Sequence, residues 1–206
     1  MLSSPSKDMA NGSSPESMRL VDSKSLVGSI QDSFSDRWRK RTAVLIGLLL
    51  FQSCSSFILA HFERLLQKHS VVVFFLTMLV GAGGNAGNQA AVLVIRGLAT
   101  GEITARSYAR YVLGELQMAC CISIPMVAAG YLRVAFFQIH TTRLDAIAIS
   151  ASLVAIVFTS VVIGALLPLL LQRCHVDPAH AGATIQVIMD LLGVAITCTV
   201  CSYLLP

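Results

Sequence analysis

The sequence "GAGGNAGNQAAV", residues 81–92, lies inside a run of 26 residues, 70–95, that carries no charge. It contains four glycines, two asparagines and one glutamine, with valine, leucine and phenylalanine around it. Glycine weakens a helix in water and buried amides need hydrogen-bond partners, so this segment suits a water-soluble core poorly. A long apolar run with amides at its midpoint indicates a membrane span that faces other protein or water.

The composition of the whole chain agrees with a membrane protein. Hydrophobic residues make up 55% of the 206 residues and charged residues only 13%. Ordinary soluble domains hold fewer apolar and about twice as many charged residues. The first 41 residues are the polar part of the chain, and long uncharged stretches follow them. We therefore expect an integral membrane domain preceded by a polar tail.

Five segments are long enough to cross a bilayer, which takes about 20 mostly apolar residues. Three of them contain a long run without charge, residues 42–60, 70–95 and 146–172, and the apolar runs 111–132 and 178–206 are each interrupted by a single acid, Glu115 and Asp190. Cutting either of these two at its acid would leave a piece too short to cross. The sequence predicts an all-α integral membrane protein with five transmembrane helices in one domain, residues 42–206, at about residues 42–60, 70–97, 110–132, 146–172 and 180–205.

Lys and Arg are enriched on the cytoplasmic side of membrane proteins. An N-terminus inside and a C-terminus outside would put 11 of them on the inner side and four on the outer side, so this orientation is expected. Residues 1–22 lack the apolar stretch of a signal peptide and predict a disordered tail. Residues 23–41 have apolar side chains at helical spacing and predict an amphipathic juxtamembrane helix. Its basic cluster, residues 37–41, would contact lipid headgroups or serve only as a positive-inside anchor.

The glycine-rich segment contains two kinds of signal. Small residues recur every four positions in two rows, which favours close helix packing in lipid; the rows are Ala82, Ala86 and Ala90, and Gly83, Gly87 and Ala91. The amides Asn85, Asn88 and Gln89 stand at i, i+3 and i+4 and share one helix face. We expect that face to line a protein interior or a water-filled path.

Asp190 strengthens this interpretation. It lies nine residues into the last span, about 13 Å deep at 1.5 Å per residue. A carboxylate at that depth is costly unless water, hydrogen-bond donors or a cation meets it. The alternatives are a protonated aspartic acid and a hydrogen bond between helices. No Lys or Arg is predicted at the same depth, so a transported cation is the simplest partner.

Spacings of three and four from Asp190 collect a stripe of small and polar residues on the last helix; they are Gly182, Gln186, Gly193, Thr197 and Cys201. Cys198 and Cys201 form a C-x-x-C pair without a second pair, which favours helix packing over metal binding. Oxygen-bearing groups suit a hard ion such as Mg²⁺, which keeps much of its water. One carboxylate per chain is too little for such an ion, whereas a two-fold axis would supply two.

Three stretches together resemble the membrane domain of the MgtE family of magnesium channels and transporters: "GAGGNAGNQAAVLVIRGLATGEI" (residues 81–103), "VLGEL" (112–116) and "LPLLLQRCHVDPAHAGATIQVIMDLLG" (167–193). The resemblance covers residues 38–205. It implies a homodimer whose second and fifth helices line a central ion path, with Asp190 at the position of the pore aspartate. Gln186 and Gly182 match pore-facing positions, and Asn85 matches the asparagine of the glycine-rich motif.

The sequence also departs from the family pattern. Bacterial members carry cytosolic sensor domains, whereas only a short tail precedes the spans here, so the usual gate is not expected. Eukaryotic solute-carrier relatives fuse two such halves, whereas this chain has one, so it should need a partner, most simply a second copy. The proline that often precedes the pore helix is replaced by "AGA", residues 181–183.

Two further acids have open roles. Glu115 resembles a family glutamate and would attract cations at the inner mouth, or else pair with Arg110 or Arg106. Asp177 precedes Pro178 and favours an N-cap of the last helix over ion binding.

The sequence therefore predicts a divalent-cation channel or transporter, with Mg²⁺ as the transported ion and no catalytic cofactor. Asp190, Gln186 and Asn85 are the predicted metal-binding residues, and Gly182, Gly193, Thr197, Asn88 and Gln89 the predicted pore lining. The alternatives are transport of Mn²⁺, Co²⁺ or Ni²⁺, sodium-coupled Mg²⁺ exchange, and a non-conducting subunit of a fuller relative. No enzyme motif occurs and no nucleic-acid partner is expected. The predicted setting is the lipid bilayer of the plasma membrane, with an organelle membrane as the alternative.

Overall fold

The computed structural model describes residues 15–104, 107–136, 141–175 and 181–206, with side chains described from Phe34 onward. These ranges contain helices and no strand. The helices are α1 (Pro15–Ser53), α2 (Ser55–His61), α3 (Glu63–Lys68), α4 (Ser70–Ala99), α5 (Tyr108–Ala135), α6 (Arg143–Arg173) and α7 (Ala181–Leu204).

Five helical segments of the described residues are long and apolar enough to cross a membrane. Four are α4, α5, α6 and α7, and the fifth is Phe34–His61, which joins the end of α1 to α2. The predicted all-helical fold with five apolar spans is confirmed.

The chain divides into two compact units, residues 1–47 and residues 48–206. In the first unit, residues 1–14 of the predicted tail lie outside the described residues, and α1 begins at Pro15. The helix has no end near residues 22 or 41, where the sequence places the limits of the juxtamembrane helix. The orientation of the chain and the contact of residues 23–41 with the membrane surface stay predictions.

The second unit begins with the last residues of α1 and a break in the first span at Cys54. The amide of Cys54 donates to the Phe51 carbonyl at 3.1 Å, a bond to the third residue back instead of the fourth. The hydroxyl of Ser53 donates to the Leu50 carbonyl at 2.6 Å. Serine side chains that bond backbone carbonyls in this way bend helices. The first span continues as α2 after this irregular turn, and α2 packs against α7.

The core of this unit is formed by α4, α6 and α7, with α5 packed against α6. The contact between α4 and α6 depends on glycine. A Cβ on Gly164 would overlap the backbone carbonyl of Gly87, and the buried hydroxyl of Ser160 donates to the carbonyl of Gly83. Small residues let helix backbones approach this closely in membranes. The predicted packing role of the Gly83 and Gly87 row is thus confirmed.

The N-terminus of α6 lies three residues before the predicted start of the fourth span. Thr142 caps the helix: its hydroxyl accepts from the amide of Asp145 at 3.1 Å, and the Asp145 carboxylate accepts from the amide of Thr142 at 2.9 Å. This reciprocal capping box satisfies amides that the helix leaves unpaired. It also explains why charged Arg143 and Asp145 lie inside the helix, although the charges suggested a loop.

Asp145 also connects α6 to its neighbours at this end of the bundle. Its carboxylate is buried, with 3% exposed, and lies 3.1 Å from Nδ1 of His69, the residue before α4. Nε2 of His69 lies 3.4 Å from the carbonyl of Pro206, which also accepts from Lys68. This polar cluster joins the ends of α4, α6 and the segment that follows α7.

Candidate functional site

The carboxylate of Asp190 lies partly buried near the middle of α7 and is held by two side-chain amides. Nε2 of Gln186, one turn earlier on α7, donates to Oδ1 at 2.9 Å. Nε2 of Gln52, near the end of α1, donates to Oδ2 at 2.6 Å. Each oxygen therefore accepts one hydrogen bond, which suits the ionised carboxylate.

No Lys, Arg or His of the described residues forms an ion pair with Asp190; the ion pair within those ranges joins His69 and Asp145. The contact with Gln52 is a hydrogen bond between helices, one of the alternatives that the sequence left open for Asp190. Because both amide donors are neutral, they solvate the carboxylate without balancing its charge. No cationic side chain of the described residues therefore neutralises Asp190.

The position of Gln186 depends on Gly84 of α4. A Cβ on Gly84 would meet the amide of Gln186, with the Cδ atom at 2.7 Å. The same close approach continues along both helices, since a Cβ on Gly193 would lie 3.0 Å from Val80 and one on Gly182 would lie 2.9 Å from Asn88. Helices α4 and α7 therefore run antiparallel, with Gly84 leaving room for the Gln186 side chain beside the Asp190 carboxylate.

The three amides of α4 are exposed but do not lie at one place. Asn88 lies beside Gly182 of α7. Asn85 and Gln89 lie in a groove of about 460 Å³ between α4 and α5, together with Thr77 and Met126. The structure brings Gln186 to Asp190, and it places Asn88 rather than Asn85 on the α7 side of α4.

Two residues of the polar stripe on α7 are packed inside the chain. Gly193 is buried against Val80. Thr197 is fully buried, and its hydroxyl donates to the carbonyl of Gly193 at 2.7 Å. Both are buried within this chain, and their place along an ion path stays a prediction. Gln186, on the same stripe, is exposed. Cys201, near the C-terminal end of α7, is buried, and its Sγ atom lies 3.9 Å from the hydroxyl of Ser152.

Glu115 lies apart from Asp190, in a cleft of about 420 Å³. The cleft is also lined by Glu102, Arg110 and Tyr111. Glu115 makes no salt bridge with Arg110, and Arg106 lies outside the described residues. Asp177 also lies outside them.

Gln52 is the site residue that the sequence analysis missed. It is the one side-chain amide in the predicted first span, residues 42–60. A lone amide in an apolar span needs a partner in the same way as Asn85, so the signal was present. Its partner lies 138 residues away, which no local pattern indicates.

Comparison with known proteins places these residues in a family. The family model of MgtE, described as a divalent cation transporter, matches residues 76–200. Magnesium transporter MgtE of Thermus thermophilus is 34% identical over 171 residues, 82% of this chain and 37% of the relative. The proteins of the same name from Bacillus subtilis and Enterococcus faecalis are each 28% identical over 158 residues, 76% of this chain and 35% and 34% of the relatives.

The chain therefore spans about a third of the length of these curated relatives. The matched segment contains all of α5 and α6 and most of α4 and α7, including Gly84, Gln186 and Asp190. The family model covers more than half of the sequence, and the helical fold with five apolar spans agrees with a membrane domain. This chain belongs to the MgtE family.

Proposed function

We propose that the chain conducts divalent cations across a membrane, with Mg²⁺ as the transported ion and Asp190 as the charged group that binds it. The observation that carries this proposal is the carboxylate of Asp190, placed mid-span and bound to neutral amides alone within the described residues. The names of the relatives, Magnesium transporter MgtE, support Mg²⁺ as the ion. The reaction is movement of an ion down its electrochemical gradient, without covalent chemistry.

The ligands suit an ion that keeps its water. Mg²⁺ loses water reluctantly and is commonly bound through one or two carboxylates with several waters retained. Asp190 supplies the charge, and the carbonyl oxygen of Gln186 accepts hydrogen bonds from waters of the ion. Asn88 and Asn85, on the exposed part of α4, contact the outer waters. This assignment needs no soft ligand, which favours Mg²⁺ over ions that prefer nitrogen or sulfur.

We further propose that two copies form the ion path, with α4 and α7 of each copy facing the two-fold axis. The exposed amides Asn85, Asn88 and Gln89 support this arrangement, because hydrocarbon would leave their hydrogen bonds unsatisfied. A second copy also brings a second Asp190 to the same ion, which doubles the negative charge. With the N-terminus inside, α7 runs from the cytoplasmic side outward, and the cleft with Glu115 lies at the inner mouth. The plasma membrane is the proposed location.

A flux assay with the purified chain tests the function directly. In liposomes that contain a Mg²⁺-sensitive dye, we expect an imposed Mg²⁺ gradient to drive uptake and change the fluorescence of the dye. The fluorescence in protein-free liposomes should not change. Mn²⁺, Co²⁺ and Ni²⁺ are added as competitors, and a sodium gradient is imposed in parallel. Uptake that requires the sodium gradient would indicate exchange instead of a channel. Flux that occurs only with a co-expressed relative would contradict the proposal and indicate a subunit role.

Substituting Gly84 with alanine is expected to lower Mg²⁺ uptake about tenfold while the protein still folds. The new methyl group meets the amide of Gln186, the flexible end of a side chain, so Gln186 moves away. Its carbonyl oxygen then no longer accepts a hydrogen bond from the waters of the ion, which is worth about 1.5 kcal/mol. Uptake per folded protein in the liposome assay measures the effect. Gly81→Ala is the matched control, because a Cβ there meets nothing within 4 Å. Equal uptake by the two variants would show that the missing side chain at Gly84 is not needed for Mg²⁺ transport.

A further inference from the structure

The hydrogen bond from Gln52 to Asp190 has a consequence for the affinity of the site. Gln186 donates to Oδ1 of Asp190, and Gln52 donates to Oδ2 at 2.6 Å from a different helix. A carboxylate has about four lone-pair sites, and the two amides take two of them. A hydrated cation with its shell of waters needs the lone pairs and the space around the same oxygens, so the cation and Gln52 compete at Oδ2.

We propose that Gln52 competes with the transported ion for Asp190. The Gln52 amide is bound to the Asp190 carboxylate when no ion is present, and it is displaced when a divalent cation binds. This inference rests on the proposed function and adds to it a residue that sets the affinity of the site for the ion.

Gln52 is placed so that it can leave at low cost. Residues 49–53 of α1 are all exposed, so packing does not fix this turn of the helix. Directly after it, the chain breaks at Cys54, where the backbone bonds are already irregular. A rotation of the Gln52 side chain, or a small movement of this turn, releases the carboxylate without disturbing the core of α4, α6 and α7.

The competition lowers the affinity of the site for every cation. The cost of displacing Gln52 is the same for each ion, so it divides each binding constant by the same factor. Coulomb attraction to Asp190 is proportional to the charge of the ion, so Mg²⁺ gains twice as much as Na⁺ or K⁺ at the same distance and displaces Gln52 at a lower concentration.

The test is the concentration dependence of Mg²⁺ uptake by a Gln52→Leu variant in the liposome assay. Without the competing amide, we expect the Mg²⁺ concentration for half-maximal uptake to fall about tenfold, since a hydrogen bond to a charged group is lost from the ion-free state. A change in half-maximal concentration with folded protein present separates competition from a merely structural role, which would alter the amount of active protein.

Gln67→Leu is the matched control. Gln67 is also exposed, and its amide donates to the carboxylate of Glu63 at 2.9 Å on α3, away from Asp190. We expect this variant to have the same half-maximal Mg²⁺ concentration as the parent.

A second variant, Gln52→Met, keeps the length of the side chain and replaces the donating amide with a thioether, which cannot donate a hydrogen bond and adds no charge. It should also lower the half-maximal Mg²⁺ concentration, so the inference can be tested if Gln52→Leu does not fold. An unchanged or raised half-maximal concentration in folded Gln52 variants would overturn the inference while leaving the proposed function intact. Absence of Mg²⁺ flux in the parent protein would instead overturn the proposed function.

Discussion

Replacement of Asp190 by asparagine is expected to reduce Mg²⁺ uptake about a hundredfold or more. Asparagine has nearly the same shape and keeps an acceptor for Gln186 or Gln52, so the variant removes the charge and little else. Two unit charges 4 Å apart attract by about 4 kcal/mol at the effective dielectric constant of a site near a protein surface. Asp190 is only partly buried, so water weakens this attraction, yet about 3 kcal/mol already corresponds to a hundredfold change in binding.

Initial uptake rates in liposomes, divided by the amount of folded protein, measure this effect. Asp36→Asn is the matched control, because Asp36 is exposed on α1 and has no part in the proposed site. We expect Asp36→Asn to transport like the parent. An Asp190→Asn variant that expresses normally and transports at the parental rate would remove Asp190 from the mechanism.

The helices could be predicted because long uncharged runs have one stable arrangement in a bilayer. The ends of the helices were less predictable. Arg143 and Asp145 suggested that the fourth span begins after them, whereas the reciprocal bonds between Thr142 and Asp145 start the helix earlier. The pattern of a capping box can be recognised in a sequence. Here it was missed because the predicted span was started after the charged residues, one of which belongs to the capping box.

The site was predictable where its contacts are local. Gln186 and Asp190 are four residues apart on a helix, and their side chains meet at 2.9 Å as that spacing indicates. Gln52 was missed because its contact depends on how the first span lies against α7. Helical spacing also could not distinguish Asn88, beside α7, from Asn85, in the groove between α4 and α5.

Small polar residues in a membrane helix can either line a wet path or pack closely against another helix. Thr197 and Gly193 lie on the same stripe as Asp190, which suggested that they line a wet path. In the structure the Thr197 hydroxyl bonds to its own helix and Gly193 admits Val80. A residue that is small enough to line water is also small enough to pack closely, and its own backbone can satisfy a hydroxyl. Only the packing of α7 against its neighbours decides between the two roles.

Packing at one glycine leads to the largest expected effect on folding. Gly164→Ala should destabilise the protein by about 3 kcal/mol, the upper part of the range for added volume in a close-packed interior. The added methyl group would overlap the backbone carbonyl of Gly87, which cannot move aside as a side chain can. The helices α4 and α6 would have to separate, and the bond from Ser160 to the carbonyl of Gly83 would be lost with them. We expect a low yield of monodisperse protein and a melting temperature several degrees lower, measured in detergent.

Gly114→Ala is the matched control for this prediction, because Gly114 also lies inside a helix, α5, and a Cβ there meets nothing within 4 Å. Alanine favours a helix over glycine by about 1 kcal/mol, so this variant should melt at the parental temperature or slightly above it. If the melting temperature falls in Gly164→Ala and does not fall in Gly114→Ala, the close contact between α4 and α6 is the cause of the destabilisation. The general preference of helices for alanine would change both variants in the same direction. A Gly164→Ala variant as stable as Gly114→Ala would mean that the two backbones are farther apart than the structure places them.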